Sequence, residues 1–139
     1  MYLDTLSPLR ADVGYGQLGT QGKLGYESKF VQVKRQRYQH ALSSHPPARL
    51  IFSLGGHFSS FCCQVALNDD VVPGASHADF TVLADGHQVA AANHVVAGSS
   101  PRTLQANISG VQMLELVVRT SRWEYCHAIW LDPQVDGSR

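Results

Sequence analysis

Apolar side chains fall at alternate positions in several short runs of this chain, and that period suits strands and excludes most other structure. Phe61, Cys63, Val65 and Leu67 alternate within Phe58 to Leu67, as do Phe80, Val82 and Ala84, then Leu104, Ala106 and Ile108, then Leu114, Leu116 and Val118. Polar Gln105, Asn107, Glu115 and Arg119 occupy the intervening positions. Successive strand side chains point to opposite faces, so each run predicts a ribbon with one apolar side. No stretch holds apolar residues at helical spacing. Gly55-Gly56, Asp85-Gly86 and Ser109-Gly110 punctuate the runs, and such pairs favour tight turns between antiparallel neighbours. With further strands at Phe30 to Val33, Arg49 to Leu54, His87 to Ala92 and His127 to Leu131, the count is about eight. The expected fold is all-β, an antiparallel β-sandwich with two packed sheets. Trp130, mid-strand, is expected in the core, and Pro133 is expected to end the last strand.

A chain of 139 residues suits one domain, here 1-139, with no internal boundary or repeat. Eleven Lys and Arg balance eleven Asp and Glu, so no dense positive face for nucleic acid is expected. Lys34, Arg35 and Arg37 read as a solvated strand face. The N-terminus carries Asp4 and Pro8 without an apolar signal region, and no segment is long enough to cross a bilayer, so no membrane partner is expected. The strand pattern runs almost from Met1 to Pro133, as in a module cut from a larger protein. Cys62, Cys63 and Cys126 form no visible disulfide framework, because adjacent Cys62 and Cys63 point to opposite faces. Unpaired thiols fit a reducing compartment, and buried ones also occur in exported proteins.

The glycines of the Gly14 to Lys29 stretch neither follow a strand nor open a helix, so they predict an irregular surface loop rather than a phosphate cradle. Asn68 to Ala78, Val96 to Arg102 and Thr120 to Tyr125 are the other connections, and in a sandwich such segments gather at the two ends. Catalysis is not expected. Asp69, Asp70 and Asp85 sit in turn contexts, whereas glycoside hydrolysis needs two carboxylates across a cleft. Cys126 and His127 are strand neighbours that point apart, and His57, Cys62, Cys63 and Cys126 lack the short spacing of a zinc site.

The order of these pieces resembles the NPCBM family, carbohydrate-binding module family 51. Tyr2-Leu3-Asp4-Thr5-Leu6 is similar to that family's opening Tyr-Leu-Ser-Asp-Leu, and Gly14-Tyr15-Gly16 to its Gly-Trp-Gly. Ala41 to His45 stands where the family writes Gly-Leu-Gly-Thr-His, followed by Arg49 to Gly56 and by Phe58 and Phe61. Val65 to Asp69, Phe80 to Gly86 and Ser109 to Leu116 resemble further elements, and His127-Ala128-Ile129-Trp130 falls at a His-Ala-Asp-Trp. The resemblance covers nearly the whole chain. It implies a galactose-binding-like jelly roll, a carbohydrate ligand bearing terminal galactose or a related sugar, and a parent protein with other domains.

A sugar ring needs an aromatic plane and forked hydrogen-bonding groups around it. Arg122, Trp123, Glu124 and Tyr125 pack both into four residues before the last strand; the alternative is that Trp123 caps an edge between surface charges. His45 and His127 match family histidines, with a loop-pinning role equally open. Tyr38 and His40 lie just upstream and are candidates for the same end, or else half-buried strand residues. Cys126, Ile129 and Asn68 replace acidic family residues, and Ala41 and Ser43 replace glycines. Hard cations need several oxygen ligands, so no cofactor is expected, structural calcium being compatible with the fold but not implied. The same substitutions keep a rival reading open, a protein-interaction or spacer domain without sugar binding.

Overall fold

Two antiparallel sheets lie face to face in the computed structural model, which describes residues 1–25, 29–71, 77–120 and 127–137. The strands are β1 (Arg10–Asp12), β2 (Gln32–Val33), β3 (Gln36–Arg37), β4 (Ala41–Ser43), β5 (Ala48–Ser53), β6 (Ser60–Leu67), β7 (His77–Ala84), β8 (His87–Val96), β9 (Arg102–Asn107), β10 (Met113–Arg119) and β11 (Ala128–Asp136). One sheet runs β1-β5-β10-β7-β8, the other β4-β11-β6-β9, and β2-β3 forms a separate ribbon. Among the described residues eleven strands replace the eight or so expected, because β1, β3 and β4, of two or three residues each, are too short for alternation to register. Among the described residues no helix is long and apolar enough to cross a membrane.

The alternating runs face inward as their period requires. Along β7 every second residue is buried, from Ala78 through Phe80 and Val82 to Ala84. Phe52, Leu114, Leu116 and Val118 from the same sheet meet Phe61, Val65, Leu104 and Trp130 from the other. Trp130 is fully buried, packs edge-on against Phe80 with ring centroids 5.1 Å apart, and donates its indole N–H to Ser44 Oγ at 3.2 Å. Cys63 faces this core and Cys62 faces outward. Burial, and next the neighbouring Cys62, push the Cys63 thiol pKa up.

The last strand does not stop at Pro133. It continues to Asp136, and the register shifts between Leu131 and Gln134. Asp132 there has φ 46°. A bulge leaves a residue outside the ladder, so the missing proline N–H costs no sheet bond.

Burial on β11 and β6 does not alternate, and the cause is a second apolar cluster on the outer side of the smaller sheet. Ala41, Ala66, Ile129 and Leu131 are covered there by Leu24, Val31 and Val33, with Tyr38 against them. The glycine-rich stretch is therefore a cover rather than a surface loop. Gly19 exchanges two backbone bonds with Ser43, and a Cβ on Gly19 would collide with the Lys23 carbonyl. Lys34 and Arg35 do not lie on a strand face. They form the β2–β3 turn at φ 52° and 66°, and both their amides donate to the Asp69 carboxylate at 2.7 Å.

Register sets the position of the site. Ser43 pairs with Ile129 and Leu67 with Ala128, so the segments after β4, after β6 and before β11 leave the sheet at one end.

Candidate functional site

His45 follows β4 by two residues and His127 precedes β11 by one. Their rings stand 6.2 Å apart at 56°, with Tyr15 5.7 Å from His45. Both histidines are buried, at 4% and 7% exposure, unusual for a ring with two polar nitrogens. Each ring is held through Nδ1. His45 Nδ1 lies 2.8 Å from the Pro46 carbonyl, which can only accept, so Nδ1 carries the proton and Nε2 of the neutral ring is the acceptor. His127 Nδ1 lies 2.9 Å from both oxygens of Asp70, so Nδ1 donates to that carboxylate and Nε2 points away from it.

Asp70 was not among the residues picked out by sequence, where its turn context accounted for it. Burial raises its pKa, yet hydrogen bonds from His127 and Asn68 and the charges of His127 and Lys29 outweigh that and hold it at about 2. Asn68 donates Nδ2 to Asp70 at 2.9 Å while its Oδ1 accepts the Gln32 amide at 2.7 Å. An aspartate at position 68 would lack the N–H that Asp70 receives, so the exchange of an acid for an amide here has a local chemical reason. Burial lowers the His45 pKa, the Pro46 bond works against this, and His127 lowers it further. A neutral His45 thus donates through Nδ1 to Pro46 and has its acceptor at Nε2.

The sequence-predicted residues divide. His45 and His127 come together. Tyr38 packs on the outer cluster, where burial, then Asp132 and Asp69, raise the pKa of its phenol. His40 precedes β4, at the other end of that strand, and its carbonyl accepts the Asp132 amide. Its ring stacks on Tyr2 at 3.8 Å and its Nδ1 lies 3.2 Å from buried Asp4, which also accepts the Ala41 amide. The expectation that Tyr38 and His40 line the same end as His45 fails, because β4 runs between them and His45. Arg122, Trp123, Glu124 and Tyr125, like Cys126, lie outside the described residues. Among the described residues no three His, Cys, Asp or Glu side chains gather as a metal site would require.

The model of the NPCBM/NEW2 domain family matches residues 1–136. The chain belongs to that family. NPCBM/NEW2 domains are non-catalytic carbohydrate-binding modules. A search of the curated proteins returns no match. Among solved structures, the CBM51 of Clostridium perfringens GH95, in complex with methyl-galactose, has a TM-score of 0.86 at 17% identity over 97% of this chain and 98% of that one. The CBM51-2 and INT domains of Clostridium perfringens ZmpB, in complex with GlcNAc, give a TM-score of 0.85 at 17% identity over 96% of this chain. This NPCBM/NEW2 domain spans 30% of that chain's length. The tandem CBM51 modules of the family 98 glycoside hydrolase from Streptococcus pneumoniae give 0.84 at 13% identity, over 99% of this chain and 47% of that one. These likenesses establish the galactose-binding-like sandwich.

Proposed function

We propose that residues 1–139 form a single non-catalytic carbohydrate-binding module that holds a terminal galactose or a related sugar at the His45–His127 end, within a larger protein. The observation that carries this reading is the pair of buried histidines, their rings 6.2 Å apart at one end of the sheet and each held in orientation through Nδ1. A buried, oriented acceptor suits a hydroxyl and does little for an apolar partner. Tyr15 beside His45 supplies an aromatic plane, and Arg122, Trp123, Glu124 and Tyr125, next to His127 in sequence, add stacking and forked polar groups to the same end in this reading. Structure neighbours solved with methyl-galactose and with GlcNAc support the ligand class, and neighbours of which this chain spans 30% and 47% support the modular setting.

Calorimetric titration with methyl-galactose and with GlcNAc tests the reading. Saturable binding that His127→Ala and Trp123→Ala each abolish is the expected result. Absence of binding to either sugar, or binding untouched by both substitutions, overturns it in favour of a spacer or protein-interaction role.

A further inference from the structure

A concave feature lies beside Asp70. The β2–β3 ribbon and the segment after β6 enclose an open cavity of about 440 Å³, with Phe30, Gln32 and Arg37 on one side and Asp69 and Asp70 on the other. That volume is in the range of small-molecule sites, roughly 300–1,000 Å³. Phe30 is 48% exposed, and the Arg37 guanidinium lies 4.7 Å from its ring centroid.

The carboxylates of this cavity are already engaged. Asp69 accepts the Lys34 and Arg35 amides, and Asp70 accepts from His127 and Asn68 and pairs with Lys29 at 3.4 Å. Arg37 has no carboxylate partner among the described residues; its named contact is the Phe30 face. Five of the eleven cationic residues, Lys23, Lys29, Lys34, Arg35 and Arg37, fall within residues 23–37, where Glu27 is the one acid. Of these, Lys29 and Arg37 line the cavity beside Asp69 and Asp70; Lys29 is paired with Asp70, which leaves the Arg37 guanidinium as the lining cation without a carboxylate partner among the described residues. A guanidinium lying on a ring keeps its N–H edges available for a forked pair with an anion, which a lone hydroxyl cannot complete.

We propose that this shelf is a subsite for an anionic substituent, a carboxylate or a sulfate, on the sugar adjoining the one held at His45 and His127; the inference rests on that reading of the end site. Asp70 lines the shelf and holds the His127 ring, which puts the two sites side by side for one short glycan.

Three ligands test it: methyl-galactose, a galactoside joined to a uronic acid, and a sulfated galactoside, each titrated calorimetrically into the full chain and into Arg37→Gln and His127→Ala. One or both anionic ligands bind about ten-fold tighter than the neutral sugar, as one charge-assisted forked contact provides. Raising the salt erodes the gain, and Arg37→Gln removes it while leaving methyl-galactose binding unchanged. The arm that gains tells carboxylate from sulfate. Equal affinity for all three overturns the subsite and leaves the end site standing. Anionic binding that Arg37→Gln removes and His127→Ala spares supports the shelf and overturns the end site. No binding by any ligand overturns both.

Discussion

His127 Nδ1 stands equidistant from the two oxygens of Asp70, 2.9 Å from each, although the residues are 57 positions apart. The contact joins the end of β6 to the start of β11 and fixes the ring that the sugar is proposed to meet.

Replacing Asp70 by Asn leaves the shape and removes the charge. The Asp70 pKa, lowered to about 2 in the fold, is near 3.9 in an unfolded chain, so its stabilisation is present above pH ~4 and is lost as pH falls toward 2. Asp70→Asn is expected to cost about 1–2 kcal/mol at pH 7 and to flatten the acid limb of the stability curve. Urea unfolding at a series of pH values checks both.

His45 gives a second pH signature, at higher pH. Its folded pKa lies below the ordinary value, so the unfolded chain takes up the proton first as pH falls below about 6.5, and stability drops from there down to the folded pKa. Galactoside affinity is expected to hold through that window and to decline only as pH falls through the folded pKa, where the folded ring itself takes up the proton and loses its acceptor. Titrations between about pH 7.5 and pH 5, with His45→Gln as the pH-insensitive control, measure this.

The Trp130 indole offers a core test. Ser44→Ala strands a buried N–H and is expected to cost about 1–3 kcal/mol, whereas Trp130→Ala removes the largest core side chain and costs about 3–5 kcal/mol. Thermal and denaturant midpoints of the two variants rank them.

Thiol reactivity reads out the strand facing. Cys62 is expected to react with a thiol reagent in the native protein, while Cys63, buried and with its pKa raised, reacts only on unfolding. Peptide mapping after labelling assigns each; comparable native rates at both would contradict the register of β6.

Much of the sandwich was legible because its signals are local. Alternation placed the inner faces of β6, β7 and β10, and Asp85-Gly86, at φ 48° and 85°, makes the β7–β8 turn as that dipeptide predicts. Trp130 fell in the core as expected. The end site was half legible. His45 and His127 were singled out through resemblance, but Asn68 and Asp70 act across distant segments, and turn chemistry gave Asp70 an adequate local explanation. His40 stood near His45 in sequence, yet an extended strand carries near neighbours to opposite ends of a sheet. The outer cluster was missed because Ile129 and Leu131 break alternation only when something covers them, and that cover, residues 19–38, carries no regular period.

Asn68, Asp69 and Asp70 engage, in order, the Gln32 amide, the Lys34–Arg35 turn and the His127 ring. Three adjacent side chains thereby rivet the ribbon to the histidine, so the proposed shelf and the proposed sugar end share one support. Loosening any rivet is expected to detune both together, and a glycan gripping both would meet a jaw whose gap is set in advance.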